Sequence, residues 1–160
     1  MPVRLTDDEV ARLIAERKPL PADYQAKMQV RPKRGHKERE LGAVGTNGGE
    51  FRVILRQSSH NPFDFSAILA YLVPGTNQLF RLRRYNGKSH EHSNPIEKES
   101  FYDFHVHEAT ERYQEIEKRE DTYATASDRF SDLTSAVACM VADCAFELPA
   151  GPQQALFGDI

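Results

Sequence analysis

Four β-rich runs separated by short turn segments constrain this chain more than any other feature. They are Glu50–Gln57 (EFRVILRQ), Phe65–Val73 (FSAILAYLV), Gln78–Tyr85 (QLFRLRRY) and Phe101–Glu108 (FYDFHVHE). The breaks, SSHNP, PGTN and NGKSHEHSNP, are built from residues that favour turns. Apolar residues that alternate with polar ones give a strand one buried face, and short breaks join antiparallel neighbours. The runs therefore predict an antiparallel meander of four or more strands.

The alternation assigns the faces. Phe51, Val53 and Leu55 share one side of the first run, with Arg52 and Arg56 opposite. Phe80 and Leu82 are apolar in the third, opposed by Arg81, Arg83 and Tyr85. Tyr102, Phe104 and Val106 are apolar in the fourth, opposed by Asp103, His105 and His107. The second run is apolar on both sides and reads as central. Arg84 falls on the apolar side, or marks a strand end where the register fails.

Helices are expected to cover the apolar face. Thr6-Asp7-Asp8-Glu9 is a capping box opening a helix that runs to about Lys18 and stops before Pro19. Ala22–Met28 is weakly helical or irregular, and residues 109–120 read as a mixed-charge helix. Thr125-Ala126-Ser127-Asp128 offers a further cap before a closing helix striped by Phe130, Leu133, Val137, Met140, Val141 and Cys144. The fold class is α+β, with one domain over residues 1–148 and a tail over 149–160.

Composition narrows the function classes. The net charge of −3 conceals +7 over residues 1–90 and −10 over residues 91–160. The basic half permits contact with phosphates. Lys27–Glu40 carries six Lys/Arg around a Pro-Lys-Arg-Gly turn and reads as a solvated loop or an electrostatic clamp. Gly45–Gly49 (GTNGG) is a turn without the Gly-Lys-Ser/Thr of a phosphate loop. No apolar run reaches the ~20 residues of a membrane helix. The N-terminus has acidic residues where a signal peptide has its apolar stretch, so a cytoplasmic location without membrane contact is expected. Cys139 and Cys144, ~140° apart on a helix of 3.6 residues per turn, read as two buried free thiols.

Histidines supply the functional signal. Four of the six fall within residues 90–107, as His90/His92 and His105/His107. Three chemistries can use them. In metal-independent RNA cleavage, His105 and His107 would be acid and base, with His90 and His92 contributing from the loop and Tyr85 assisting. Arg52, Arg56, Arg81, Arg83 and Arg84 on the sheet, with Lys33 and Arg34 of the basic run, would hold the phosphates. That reading requires no metal and no cofactor. The second is a protein- or nucleic-acid-binding role without catalysis, as an inhibitor or adaptor of a bacterial or phage conflict system. The third is a metal site built from His105 and His107 with Asp103 or a histidine of the 90–92 loop. The segments that would mark an acyl-enzyme hydrolase are absent.

The stretch LFRLRRYNGKSHEHSN, followed by FYDFHVH, resembles the TumE-like toxins of bacterial toxin–antitoxin modules over residues 79–107. In that family a strand ending in Arg-Tyr/Phe-Asp-Asn leads to a histidine-rich loop; here Asn86-Gly87 stands in place of Asp-Asn. The resemblance implies a compact α+β toxin acting on RNA and silenced by an antitoxin partner. It points to Arg84, Tyr85, His90 and His92. The expected function is thus an endoribonuclease-like toxin, with RNA and an antitoxin or other protein as partners.

Overall fold

A computed structural model describes residues 3–149; the proposed tail beyond Pro149 lies outside the described residues. The architecture is α+β. Helix α1 (Asp7–Ala15) leads into β1 (Lys18–Pro19), β2 (Gln29–Lys33), β3 (His36–Val44), β4 (Glu50–Ser58), β5 (Phe65–Leu72) and β6 (Leu79–Asn86). Then come β7 (His92–Asn94), β8 (Glu99–Phe101), β9 (His105–Glu108), α2 (Glu111–Glu115), β10 (Ala124–Ala126), α3 (Leu133–Asp143) and β11 (Phe146–Glu147). The main sheet has seven strands in the order β10-β9-β6-β5-β4-β3-β2, antiparallel throughout. β7 and β8 form a separate hairpin, and β1 pairs with β11 in parallel.

Helices α1 and α3 pack on one face of the sheet. Thr6 caps α1 with Glu9 at the third helical position, as its sequence predicts. α3 is capped by Asp132 and Ser135 rather than at Thr125; residues 124–126 extend instead as β10 along the edge of β9. Val10 and Ile14 of α1 join Leu133, Ala136, Val137 and Met140 of α3 in one core with Phe51, Val53, Leu55, Leu69, Phe80 and Leu82. The double-sided burial of β5 fits its central place.

Three local expectations are corrected. The Lys27–Glu40 run is no solvated loop: it supplies β2 and most of β3, a hairpin turning at Arg34-Gly35. Both of its carboxylates are paired across the hairpin, Arg31 with Glu40 at 3.5 Å and Lys33 with Glu38 at 3.7 Å. Arg31 and Lys33 of the edge strand β2 and the run Lys37–Glu40 of its neighbour β3 are charged, so a hydrophobic alternation could not reveal the pair. Residues 101–108 do not form one strand; Tyr102 is 57% exposed and the ladder breaks between β8 and β9. The helix expected over 109–120 is confined to α2, while residues 22–27 form turns, the irregular one of the two readings of Ala22–Met28. Both cysteines are free, Cys144 buried and Cys139 only partly so.

Candidate functional site

A β-bulge decides which arginines face the histidines. Leu69 pairs with Arg83 and Ala70 with Arg81, so Leu82 is the extra residue on β6. Side-chain parity flips there. Arg81 and Arg84 share a face with Arg52, Arg56, His105 and His107, whereas Arg83 and Tyr85 turn to the helical side. Arg84 stands opposite His107, and Asn86 opposite His105.

This corrects two expected placements. Tyr85 is fully buried against α3, donating its hydroxyl to Asp143 Oδ2 at 2.7 Å, and burial pushes its pKa up. Arg83 is engaged with Glu108 and contacts Tyr85 Oη at 3.4 Å. Neither reaches the histidine face. Of the remaining arginines, Arg52 is bonded to Glu40, and Arg56 lies 3.7 Å from Glu38. Arg81 sits between Glu120 and Asp121, at 3.7 Å from each.

The histidine face is not the open surface that its alternation suggests. The β7–β8 hairpin folds over β9, leaving His105 1% and His107 4% exposed. His92 from β7 stacks on His105, with ring centroids 5.2 Å apart at 21°. It meets His107 edge-on at 4.8 Å, and His105 and His107 are 4.9 Å apart. Phe101 of β8 packs on His92 and His105. The loop histidine and the strand pair therefore meet in space. One nitrogen from each of the three rings lies within 4.8 Å of the others.

Each ring is oriented from outside the cluster. His105 Nδ1 bonds the Asp103 carbonyl at 2.8 Å, and His107 Nδ1 bonds the Asp121 carbonyl at 2.7 Å. A carbonyl only accepts, so both Nδ1 atoms carry the proton and both Nε2 atoms keep a lone pair. His92 Nε2 reaches Asn94 Oδ1 at 2.8 Å. Asn94 is itself fixed: Oδ1 accepts from Ala124 N at 3.0 Å, while Nδ2 donates to Ala124 O at 2.7 Å. His92 thus keeps its lone pair on Nδ1. Burial lowers the pKa of His105 to about 4 and that of His107 to about 2, with Arg84 adding repulsion. Both are neutral at physiological pH. They are electron-pair donors there and hold no second proton to give, contrary to the acid–base pairing expected from the strand.

Asp121 is the buried anion of the site. It is 0% exposed, with Arg84 Nε at 3.1 Å and Arg81 Nε at 3.7 Å. Asp103 contributes its carbonyl, not its carboxylate, and its side chain is exposed. A cleft of about 290 Å³ opens beside the cluster, lined by Arg56, Arg84, Arg119, His90, His92 and His107 among others. His90 is exposed there and contacts Ser89 Oγ at 3.1 Å. Asn94, Asp121 and Arg119 were not legible as site residues. Asn94 stands before a proline and Asp121 in a charged turn, and neither segment has a period that points anywhere.

No family model, no curated protein and no solved structure matches this chain.

Proposed function

We propose that this protein acts on RNA as an endoribonuclease-like protein, seating a phosphodiester in the cleft between Arg56, Arg84 and Arg119. The observation that carries the reading is the convergence of three guanidinium groups and three imidazoles on one cleft. Guanidinium groups bind phosphate oxygens through paired N–H donors, and desolvated imidazoles supply lone pairs beside them. Arg119 is exposed and has no acidic partner among the described residues, which leaves it ready for a phosphate. Arg84 is held by Asp121 at the base and contributes field rather than a mobile contact. His90 on the rim is the imidazole open to solvent for proton exchange. Arg52, Arg81 and Arg83 do not line this cleft and fall outside this role. An antitoxin partner would act by covering the same cleft. Among the described residues no helix is long and apolar enough to cross a membrane.

The test is a filter-binding and cleavage assay on a short single-stranded RNA. Arg119→Ala is expected to weaken binding several-fold and to lower the slope of log K against log salt by about one, with an unchanged melting temperature. His90→Ala is expected to slow cleavage more than binding. Failure of the wild-type chain to retain or cut RNA at low salt would overturn the proposal.

A further inference from the structure

We infer that His92, His105 and His107 form a binding site for one divalent transition-metal ion of the zinc class. Three observations carry this. The rings come from two separate elements, β7 and β9, yet one nitrogen of each lies within 4.8 Å of the others. Every ring gives its single N–H to an oxygen outside the cluster: the Asp103 carbonyl, the Asp121 carbonyl and the Asn94 amide oxygen. The three remaining nitrogens are therefore all acceptors, and no described residue forms a hydrogen bond to any of them.

A packing cluster has no need of that arrangement. The three free lone pairs belong to rings whose centroids lie 4.8 to 5.2 Å apart, and a cation held between these rings is attracted to all three. Oxygen acceptors on the outer nitrogens are what fixes tautomer and ring direction in histidine metal sites. The donor type is specific as well. Neutral imidazole suits zinc and its neighbours among the transition metals, while calcium and magnesium require oxygen ligands. Three protein ligands leave a fourth tetrahedral position for water or substrate. His92 and His107 also line the arginine cleft, so that position has a route to an anion.

Electrostatics do not oppose the ion as strongly as the arginine count suggests. Arg84 and Arg81 lie at 3.1 and 3.7 Å from the Asp121 carboxylate, and Arg81 also faces Glu120. The Asp121 carboxylate thus offsets Arg84, the guanidinium that stands opposite His107. A bound dication would then make the cleft more positive than the chain alone makes it, which favours an anionic ligand.

The test is a titration of the untagged full-length chain, stripped with EDTA and dialysed, using Co²⁺ and then Zn²⁺ as probes. One equivalent of Co²⁺ should bind with the visible ligand-field absorption of a tetrahedral site, and Zn²⁺ should displace it. His92→Ala and His107→Gln should each weaken uptake by at least about tenfold. His60→Ala, in an exposed loop, should not change it. Far-UV circular dichroism and the melting temperature of the stripped variants establish that they fold; His92, only partly buried, is the safer variant. Absence of saturable uptake would overturn the inference, as would uptake unchanged in both folded site variants. The titration contains no RNA, so its outcome and that of the RNA assay are independent.

Discussion

Arg84 on β6 and His107 on β9 are register partners, side by side on one face of the sheet. They share that face only because Leu82 is an extra residue at a bulge. An unbulged β6 would put Arg83 and Tyr85 beside the histidines and bury Arg84 among the helices. The bulge carbonyl is retained in the fold, since Leu82 O accepts from Ala109 N at 2.9 Å.

Arg84 is expected to act on stability through Asp121. Arg84→Met leaves a wholly buried carboxylate with only the more distant Arg81, and should cost about 3 kcal/mol. Arg84→Met combined with Asp121→Asn should recover at least about 1 kcal/mol, because the stranded charge is gone. Urea denaturation of the two single variants and the double variant checks the coupling. Additive losses would mean that the pair is not coupled.

Asn94 ties the covering hairpin to the sheet edge and orients His92. Its amide closes two hydrogen bonds with the Ala124 backbone, at 2.7 and 3.0 Å. Asn94→Ala should therefore cost about 2 kcal/mol through two unsatisfied backbone groups. It should also lower Co²⁺ affinity by about tenfold, since His92 loses the oxygen that holds its tautomer. Unchanged stability would show that water replaces the amide.

The metal-free protein should lose stability in mild acid. His105 and His107 have folded pKa values of about 4 and about 2, both depressed by burial, against an unfolded value of about 6.5. Between the two values the unfolded chain binds more protons, so stability falls as pH falls. The loss should begin near pH 6.5, with His105 contributing roughly 3 kcal/mol by pH 4 and His107 continuing below that. Denaturation midpoints of the stripped protein from pH 7 to 4 test this. In His105→Gln the acid loss over this window should be shallower.

Lys18 joins two helix ends and should tolerate no apolar replacement. Its buried Nζ lies 2.7 Å from Cys144 O and 2.8 to 3.0 Å from the carbonyls of Glu16, Ile14 and Leu13. It also sits 4.6 Å from the centre of the Phe51 ring. Burial lowers its pKa to about 8, which leaves the ammonium charged at pH 7. Lys18→Met should destabilise by about 3 kcal/mol or more, by orphaning helix-terminal carbonyls that the ammonium now satisfies. Thermal melts at pH 7 give the comparison.

The central strands were legible because burial leaves a period of two in the residues themselves. Phe51, Val53 and Leu55 on β4 point to the core as their alternation states, and β5 is central as its double-sided apolarity requires. The hairpin of β2 and β3 was hidden for the opposite reason. Glu38, Glu40, Arg31 and Lys33 are held by cross-strand charge pairs, and such pairs leave no apolar period.

By itself, the sequence determined the α+β class, the antiparallel meander, the first helix cap and a concentration of histidines near the fourth run. These follow from contacts within a few residues, where periodicity and capping chemistry act. Tertiary structure decided the rest of the site. A single bulge exchanged Arg83 and Tyr85 for Arg84, and the fold-back of β7–β8 buried His105 and His107 under His92. Asn94 and Asp121 acquired their roles from partners thirty and fourteen residues away. Burial then removed the second proton from the histidine pair, changing acid–base candidates into lone-pair donors. Desolvation depends on everything packed around a side chain, so no local pattern of residues can encode it.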